Sequence, residues 1–309
     1  MRIVVHGQQA FGKAVLEALL KRGEDIAAVY VAPEKEGAKI DPLKQAALAA
    51  GLVVLEPASY RQPAVWEEFQ ALKPDLQVMA FVTLFVPEAF LKIPTHGSIQ
   101  YHPSLLPKYR GPSAINWPII NGDTETGLSI FWPDNGLDTG DILLQKSTPI
   151  LAEDSLGSVY FERLFPMGVE ALLEAVELVK TGRAPRIPQE EAKATYQGRC
   201  GSENARIDWG KPWRQIYDLI RGCNPAPGAW TLLGADKLQV FEAKPLPAKS
   251  PKGIGGKMGE IAEIDAQGFT VICADGRIHV LRVKPLDGGK VAAGEWAKAV
   301  ELAAGTKLG

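Results

Sequence analysis

One histidine and one aspartate carry the chemistry this sequence can offer. His102 stands just past a strand-like run, SIQY, and Asp138 sits in a glycine-bounded loop, GLDTGD, after a second such run. An imidazole and a carboxylate brought together by two neighbouring strand ends form an acid–base pair suited to a carbonyl or formyl carbon. Each residue also has a plainer reading. A histidine beside a proline is often a hydrogen-bonded turn residue, and Gly-x-Asp-x-Gly is often only a turn. The bare residues leave catalysis and turn formation both open.

The surrounding elements must hold these two groups. Arg2 to His6 is a short, mostly apolar run closed by Gly7, and Phe11, Val15, Leu16, Leu19 and Leu20 then fall at helical spacing before a second run, Ile26 to Val31. This βαβ opening predicts a parallel sheet. The turn GQQAFG has glycines at 7 and 12 only, and Ala32-Pro33 stands where a ribose-holding acid would be, so a tight strand-to-helix turn fits better than a dinucleotide site. Leu76 to Val82 is apolar except for Gln77, as in a strand buried on both faces. Ser98 to Tyr101 is the strand that delivers His102, Ala114 to Ile120 a helix, Leu128 to Trp132 the strand before GLDTGD, and Ile142 to Ser147 a further strand. Ser155 to Val179 has helical spacing, interrupted at Pro166. Lys180 to Asn204 is rich in turn formers and charge and reads as a linker. From Leu232 onward, short β-rich runs alternate with Gly and Asp turns, the pattern of a small antiparallel barrel or sandwich. The expected fold is α/β, with a Rossmann-like, mostly parallel sheet domain over residues 1–203 and a small β-rich domain over 204–309.

Composition narrows the function classes. The 309 residues are 46% apolar and 23% charged, with a formal net charge of −2, so nothing global draws the chain to nucleic acid. His6, His96, His102 and His279 show no ligand spacing, and no metal is expected. Cys200, Cys223 and Cys273 are far apart and suggest a reducing, cytoplasmic setting rather than a disulfide framework. The N-terminus is already strand and turn rather than a secretory signal, and no apolar run is long enough to span a membrane.

HPSLLPKYRGPSAINW together with GLDTGDILLQ resembles the folate-dependent formyltransferase family. That family includes methionyl-tRNA formyltransferase, sugar-amine N-formyltransferases and the hydrolase domain of 10-formyltetrahydrofolate dehydrogenase. The two motifs are specific as a pair, and the resemblance runs along the whole chain. It implies 10-formyltetrahydrofolate as cosubstrate, with His102 as proton donor or oxyanion partner and Asp138 orienting it or taking a proton from the nucleophile. Transferases of the family carry Asn two residues before the histidine. Here Gln100 stands there, so its longer amide arm would bond the oxyanion or cover the site, or else the residue faces away within its strand. By the same resemblance Leu84, Phe85 and Val86 line the folate pocket. Ser104, Leu105, Leu106 and Pro107 form a second folate-side loop, and Asp138 is shared with the folate site. Arg110 would meet the acidic tail of the folate or an acceptor phosphate, or be a solvated charge. The C-terminal domain would be an OB-like barrel.

The family divides by acceptor. Members that formylate tRNA carry a long basic insertion after the second strand, whereas PEKEGAKIDP here is short and of mixed charge. That loop, with YHPSLLP, INW, IFW and LIRG, is more similar to the hydrolase domain of 10-formyltetrahydrofolate dehydrogenase. The sequence ends at Gly309 without an aldehyde-dehydrogenase domain, which leads to the expectation of a free-standing hydrolase, or a transferase to a small amine or amino sugar. NPAPGAW resembles the tRNA-formylating members and keeps initiator tRNA as the first alternative acceptor. A non-catalytic folate- or dinucleotide-binding protein on the same scaffold is a further class.

Overall fold

Apolar runs of five or six residues flanked by amphipathic helices build the first half of the chain. In this computed structural model, which describes residues 1–34, 36–248 and 255–309, they pair into a sheet. Lys35, in the mixed-charge loop, lies outside the described residues. The order is β1 (Arg2–Gly7), α1 (Gln9–Lys21), β2 (Asp25–Tyr30), α2 (Pro42–Ala49), β3 (Val54–Leu55), α3 (Pro63–Ala71), β4 (Leu76–Ala80), α4 (Glu88–Leu91), β5 (Ser98–His102), α5 (Asn116–Ile120), β6 (Glu125–Phe131) and β7 (Ile142–Pro149). After α6 (Leu156–Ser158), a π-helical turn over Val159–Leu164 runs into α7 (Phe165–Lys180), so the helical stretch changes type just before Pro166, the residue expected to interrupt it.

The chain divides into two compact units, and neither is one continuous segment. The first holds residues 1–111, 127–148 and 161–196, and the second 112–126, 149–160 and 197–309. In the first unit the described strands lie in the order β3-β2-β1-β4-β5-β6-β7. The pairs β1–β2, β2–β3, β1–β4 and β4–β5 are parallel, and β5–β6 is antiparallel. The mostly parallel α/β sheet expected from the sequence is therefore present. The antiparallel step has a physical cause. A parallel return needs a crossover packed on the sheet, and residues 112–126, between β5 and the body of β6, belong to the second unit.

One face of the sheet packs Ile3, Val5, Ile99, Tyr101, Leu128 and Ile130 against Phe11 and Leu16 of α1 and Leu172 and Val176 of α7. The other packs Val4, Tyr30 and Met79 against Phe69 and Phe90. Burying each such side chain contributes about 1.5–3 kcal/mol. All of β4 is buried, in keeping with its near-continuous apolar sequence. A polar chain crosses this second core. Gln77 donates to His6 Nδ1 at 2.9 Å, His6 Nε2 meets the Tyr60 hydroxyl at 2.6 Å, and Ser98 donates to Gln77 Oε1 at 2.9 Å. Burial lowers the His6 pKa to about 3, so its ring is neutral.

The second unit carries the antiparallel strands: β8 (Ala229–Leu233), β9 (Asp236–Pro247), β10 (Ile261–Ile264), β11 (Phe269–Cys273), β12 (Gly276–Lys284) and β13 (Val291–Ala292). Their described order is β10-β11-β12-β9-β8, with β13 beside β12. A 3-10 turn (Glu191–Lys193) belongs to the first unit, and α8 (Trp213–Gly222) and, after the last strand, α9 (Ala293–Ala299) belong to the second. Within this unit α5 lies against α8: Asn116 donates to the carbonyls of Gly222 (2.9 Å) and Ala226 (3.1 Å). Trp117 and Ile120 pack on the core formed by Ile216, Ile220, Val240 and Phe269. The three cysteines are free and buried. No described helix is long and apolar enough to cross a membrane.

The stretch 180–204 differs from its expectation as a linker. Ile142 and Ile187 exchange backbone hydrogen bonds of 2.8 and 3.0 Å, and Thr195 donates to Pro107 at 3.1 Å, so the segment is tied to the first unit as far as Tyr196. Turn-forming residues report local geometry and carry no signal of such distant partners.

Candidate active site

His102 is the last residue of β5 and is 6% exposed. Its Nε2 lies 2.8 Å from the Tyr109 carbonyl oxygen, which can only accept, so Nε2 carries the hydrogen. That assignment leaves Nδ1 as the nitrogen facing the Asp138 carboxylate, 3.5 Å from Oδ2. Tyr109 has a positive φ of 58°, which turns its carbonyl back toward the ring. Asp138, 7% exposed, also has a left-handed backbone, with φ 56°. Asp tolerates that conformation better than most residues.

Asp138 reaches His102 by an indirect route. Because β6 is antiparallel to β5, His102 pairs with Ser129 and β6 ends at Phe131 opposite Gln100. The loop after β6 must therefore turn back, and it is built to do so. Asp134 accepts from Gly136 N–H (3.0 Å) and the Thr139 hydroxyl (2.6 Å), and Trp132 N–H donates to Asp141 (2.8 Å). A Cβ at Gly140 would sit 1.8 Å from the Trp132 carbonyl oxygen. Asp138 is thus presented by a folded-back loop and not by a strand end.

The carboxylate is held from the other side by Gly111, whose N–H donates to Oδ2 at 2.8 Å. Gly111 has φ 89°, and a Cβ there would fall 2.5 Å from the Tyr196 ring. Oδ1 has no protein donor among the described residues.

Gln100 is half-buried in β5, two residues before His102, and strand alternation puts both on one face of the sheet. The loop carrying Leu84, Phe85 and Val86 follows β4, which pairs in parallel with β5, so it starts beside the end that bears His102. Val86 is buried, Leu84 half-buried, and Phe85 59% exposed beneath the Arg61 guanidinium. Among Ser104, Leu105, Leu106 and Pro107, the structure turns two inward. The Ser104 hydroxyl donates to Lys108 O at 2.7 Å, and Leu106 packs with Phe131 and Ile142. Leu105 and Pro107 remain half-exposed.

Ser129, Gln145 and Gln189 shape the site without having been singled out in the sequence, and Arg110 departs from the roles expected of it. Ser129 donates to Ser104 O (2.7 Å) and accepts from Leu106 N–H (3.0 Å) and Gln145 (2.8 Å), which also donates to Leu106 O (2.9 Å). A lone serine inside the apolar strand LSIF was the available signal. Gln189 donates to Asp138 O and Gly140 O, both at 2.8 Å. Arg110 is neither solvated nor open to a ligand. It is 8% exposed, forks onto Glu191 at 2.6 and 3.0 Å, and also donates to Gln189. That pairing holds the Glu191 carboxyl below the usual carboxylate range. No cluster of His, Cys, Asp and Glu able to hold a metal ion occurs among the described residues.

A buried imidazole and carboxylate at one end of a sheet can move a proton at a carbonyl-like carbon. Residues 1–176 match the family described as Formyl transferase, and residues 199–301 match Formyl transferase, C-terminal domain. The cytosolic 10-formyltetrahydrofolate dehydrogenase of Xenopus tropicalis is 39% identical over 98% of this chain and 35% of that protein. The chain thus spans about a third of the length of the dehydrogenases it matches. The methionyl-tRNA formyltransferase of Syntrophus aciditrophicus (strain SB) is 36% identical over 99% of this chain and 98% of that one. Among solved structures, HypX from Aquifex aeolicus in complex with tetrahydrofolic acid shares the fold, with a TM-score of 0.68 at 18% identity over 98% of this chain and 48% of that chain.

Proposed function

The chain belongs to the folate-dependent formyltransferase family, and from that membership we propose that it removes the formyl group from 10-formyltetrahydrofolate, with water as acceptor and His102 and Asp138 as the working pair. The observation that carries this reading is the approach of His102 Nδ1 to Asp138 Oδ2, 3.5 Å, both side chains buried. Water adds to the formyl carbon and gives up a proton to Asp138. The carbonyl oxygen becomes an oxyanion, stabilised by Nδ1–H of the imidazolium form and by the Gln100 amide on the same sheet face. The carbon–N10 bond then breaks as N10 takes the proton held by Asp138, which returns to its carboxylate; tetrahydrofolate leaves together with formic acid, which ionises to formate in solvent. The loops at Leu84–Val86 and Ser104–Pro107 hold the folate, and the mechanism calls for no metal. Residues 1–203 serve as the catalytic region, and 204–309 as an OB-like domain, in a cytoplasmic setting.

A second reading has its own support. The match to a methionyl-tRNA formyltransferase covers nearly all of both chains, so initiator tRNA is the alternative acceptor. An amine of a small molecule or sugar would use the same pair. Tetrahydrofolate release from 10-formyltetrahydrofolate, followed without acceptor, with a small amine and with charged initiator tRNA, decides among them. Release without acceptor supports hydrolysis. Formylated tRNA as the sole product overturns it, and folate binding without turnover overturns both.

A further inference from the structure

We propose that Gln189 is a positioning residue for Asp138, locked in place by Arg110 and Glu191. This rests on the reading of His102 and Asp138 as the working pair. Asp138 is held at a positive φ of 56° in a loop that must fold back over its own strand. The carboxamide of Gln189 spans that turn: its NH2 group donates to Asp138 O and Gly140 O, both at 2.8 Å. Two hydrogens serve two carbonyls, so the donor end is fully used. The acceptor end is fixed as well, since Gln189 Oε1 takes Arg110 Nε at 3.1 Å and Nη2 at 2.8 Å. Glu191 grips the outer edge of the same guanidinium at 2.6 and 3.0 Å. An amide held by a guanidinium on one end and two carbonyls on the other has a single allowed orientation.

The arrangement closes on itself. The residue after Arg110 is Gly111, whose N–H holds Asp138 Oδ2 at 2.8 Å. One backbone step therefore grips Asp138 twice, directly at the carboxylate and through Gln189 at the carbonyl. Oδ2 is 3.5 Å from His102 Nδ1, so a small rotation of the loop would separate the pair. A misplacement of about 1 Å in a reacting group is enough to lose roughly a hundredfold in rate. Gln189 touches no reacting atom in this account and acts only through Asp138.

The test uses the full-length chain with Gln189→Glu and Gln189→Met. Glutamate keeps the size and the Arg110 contact but offers oxygen, not N–H, to the two carbonyls. Methionine fills the space without charge and carries the test if the glutamate variant does not fold. Both are measured for kcat and KM of tetrahydrofolate release and for amide hydrogen exchange over residues 134–141, beside His102→Ala. The expected result is a kcat lower by about 10- to 100-fold, KM within about threefold, and exchange over 134–141 at least about tenfold faster with the β1 and β4 peptides unchanged. Wild-type kcat and exchange in a protein that His102→Ala inactivates would overturn the positioning role while leaving the working pair intact. If His102→Ala is itself fully active, the pair is wrong, and exchange alone then decides whether Gln189 holds the loop.

Discussion

Asp138 Oδ2 faces His102 Nδ1 at 3.5 Å, while the other ring nitrogen is committed to the Tyr109 carbonyl at 2.8 Å. The ring is therefore fixed at one edge and exposed to a carboxylate at the other. Its second proton can be gained or lost only on the Asp138 side. Asp138→Asn keeps the acceptor for Gly111 N–H but removes the base. Both Asp138→Asn and His102→Ala should lower kcat for tetrahydrofolate release by about 10²–10⁴-fold with an unchanged circular dichroism spectrum. Turnover within twofold of wild type in either variant would refute the pair.

Gln100 shares the His102 face of β5, and its amide is offered as an oxyanion donor. Gln100→Ala should lower kcat by about 10- to 100-fold, toward the low end of what one such donor supplies, with KM nearly constant. A rise in KM alone would reassign the residue to folate binding.

Ser129 holds the Ser104–Pro107 turn from below with one hydroxyl that gives one hydrogen bond and accepts two. Ser129→Ala strands a buried carbonyl and a buried N–H, at a cost of about 1–3 kcal/mol. Urea denaturation should register that loss, and KM for the folate should rise more than kcat falls. An unchanged midpoint would mean that the turn holds itself.

His6 makes the first unit acid-sensitive. Its native pKa is lowered from 6.5 to about 3, because the ring is buried. Below pH 6.5 the unfolded chain binds a proton that the native ring refuses, so this contribution is complete above pH 6.5 and is lost as pH falls toward 3. The slope is at most about 1.4 kcal/mol per pH unit. Urea midpoints at pH 7 and pH 5 should fall less in His6→Gln than in wild type. Equal falls in the two proteins would show that other groups dominate acid unfolding.

Much of the scaffold could be read from residue patterns, because buried strands and amphipathic helices differ in their apolar spacing. Near-continuous apolar runs marked β1 and β4, 3.6-residue spacing marked α1, and the turn chemistry of GLDTGD marked the Asp138 loop. What escaped depends on partners distant in sequence. That β6 runs antiparallel, so that Asp138 comes from a returning loop, follows from where residues 112–126 pack, and no local pattern records it. Gln189 sits among turn formers in IPQEE, and its partners are 51 and 49 residues away. Arg110 reads as a ligand-binding or a solvated charge because sequence alone shows neither its burial nor Glu191 beside it.

The pairing of α5 with α8 bears on synthesis at the ribosome. Asn116, Trp117 and Ile120 leave the exit tunnel about a hundred residues before α8, the element that covers them. At about 5–20 residues per second, that leaves an apolar helix uncovered for roughly 5–20 seconds on every nascent chain. Slow translation, or premature termination before Trp213, would lengthen or perpetuate that exposure, so chaperone demand for this protein should peak during elongation rather than after release.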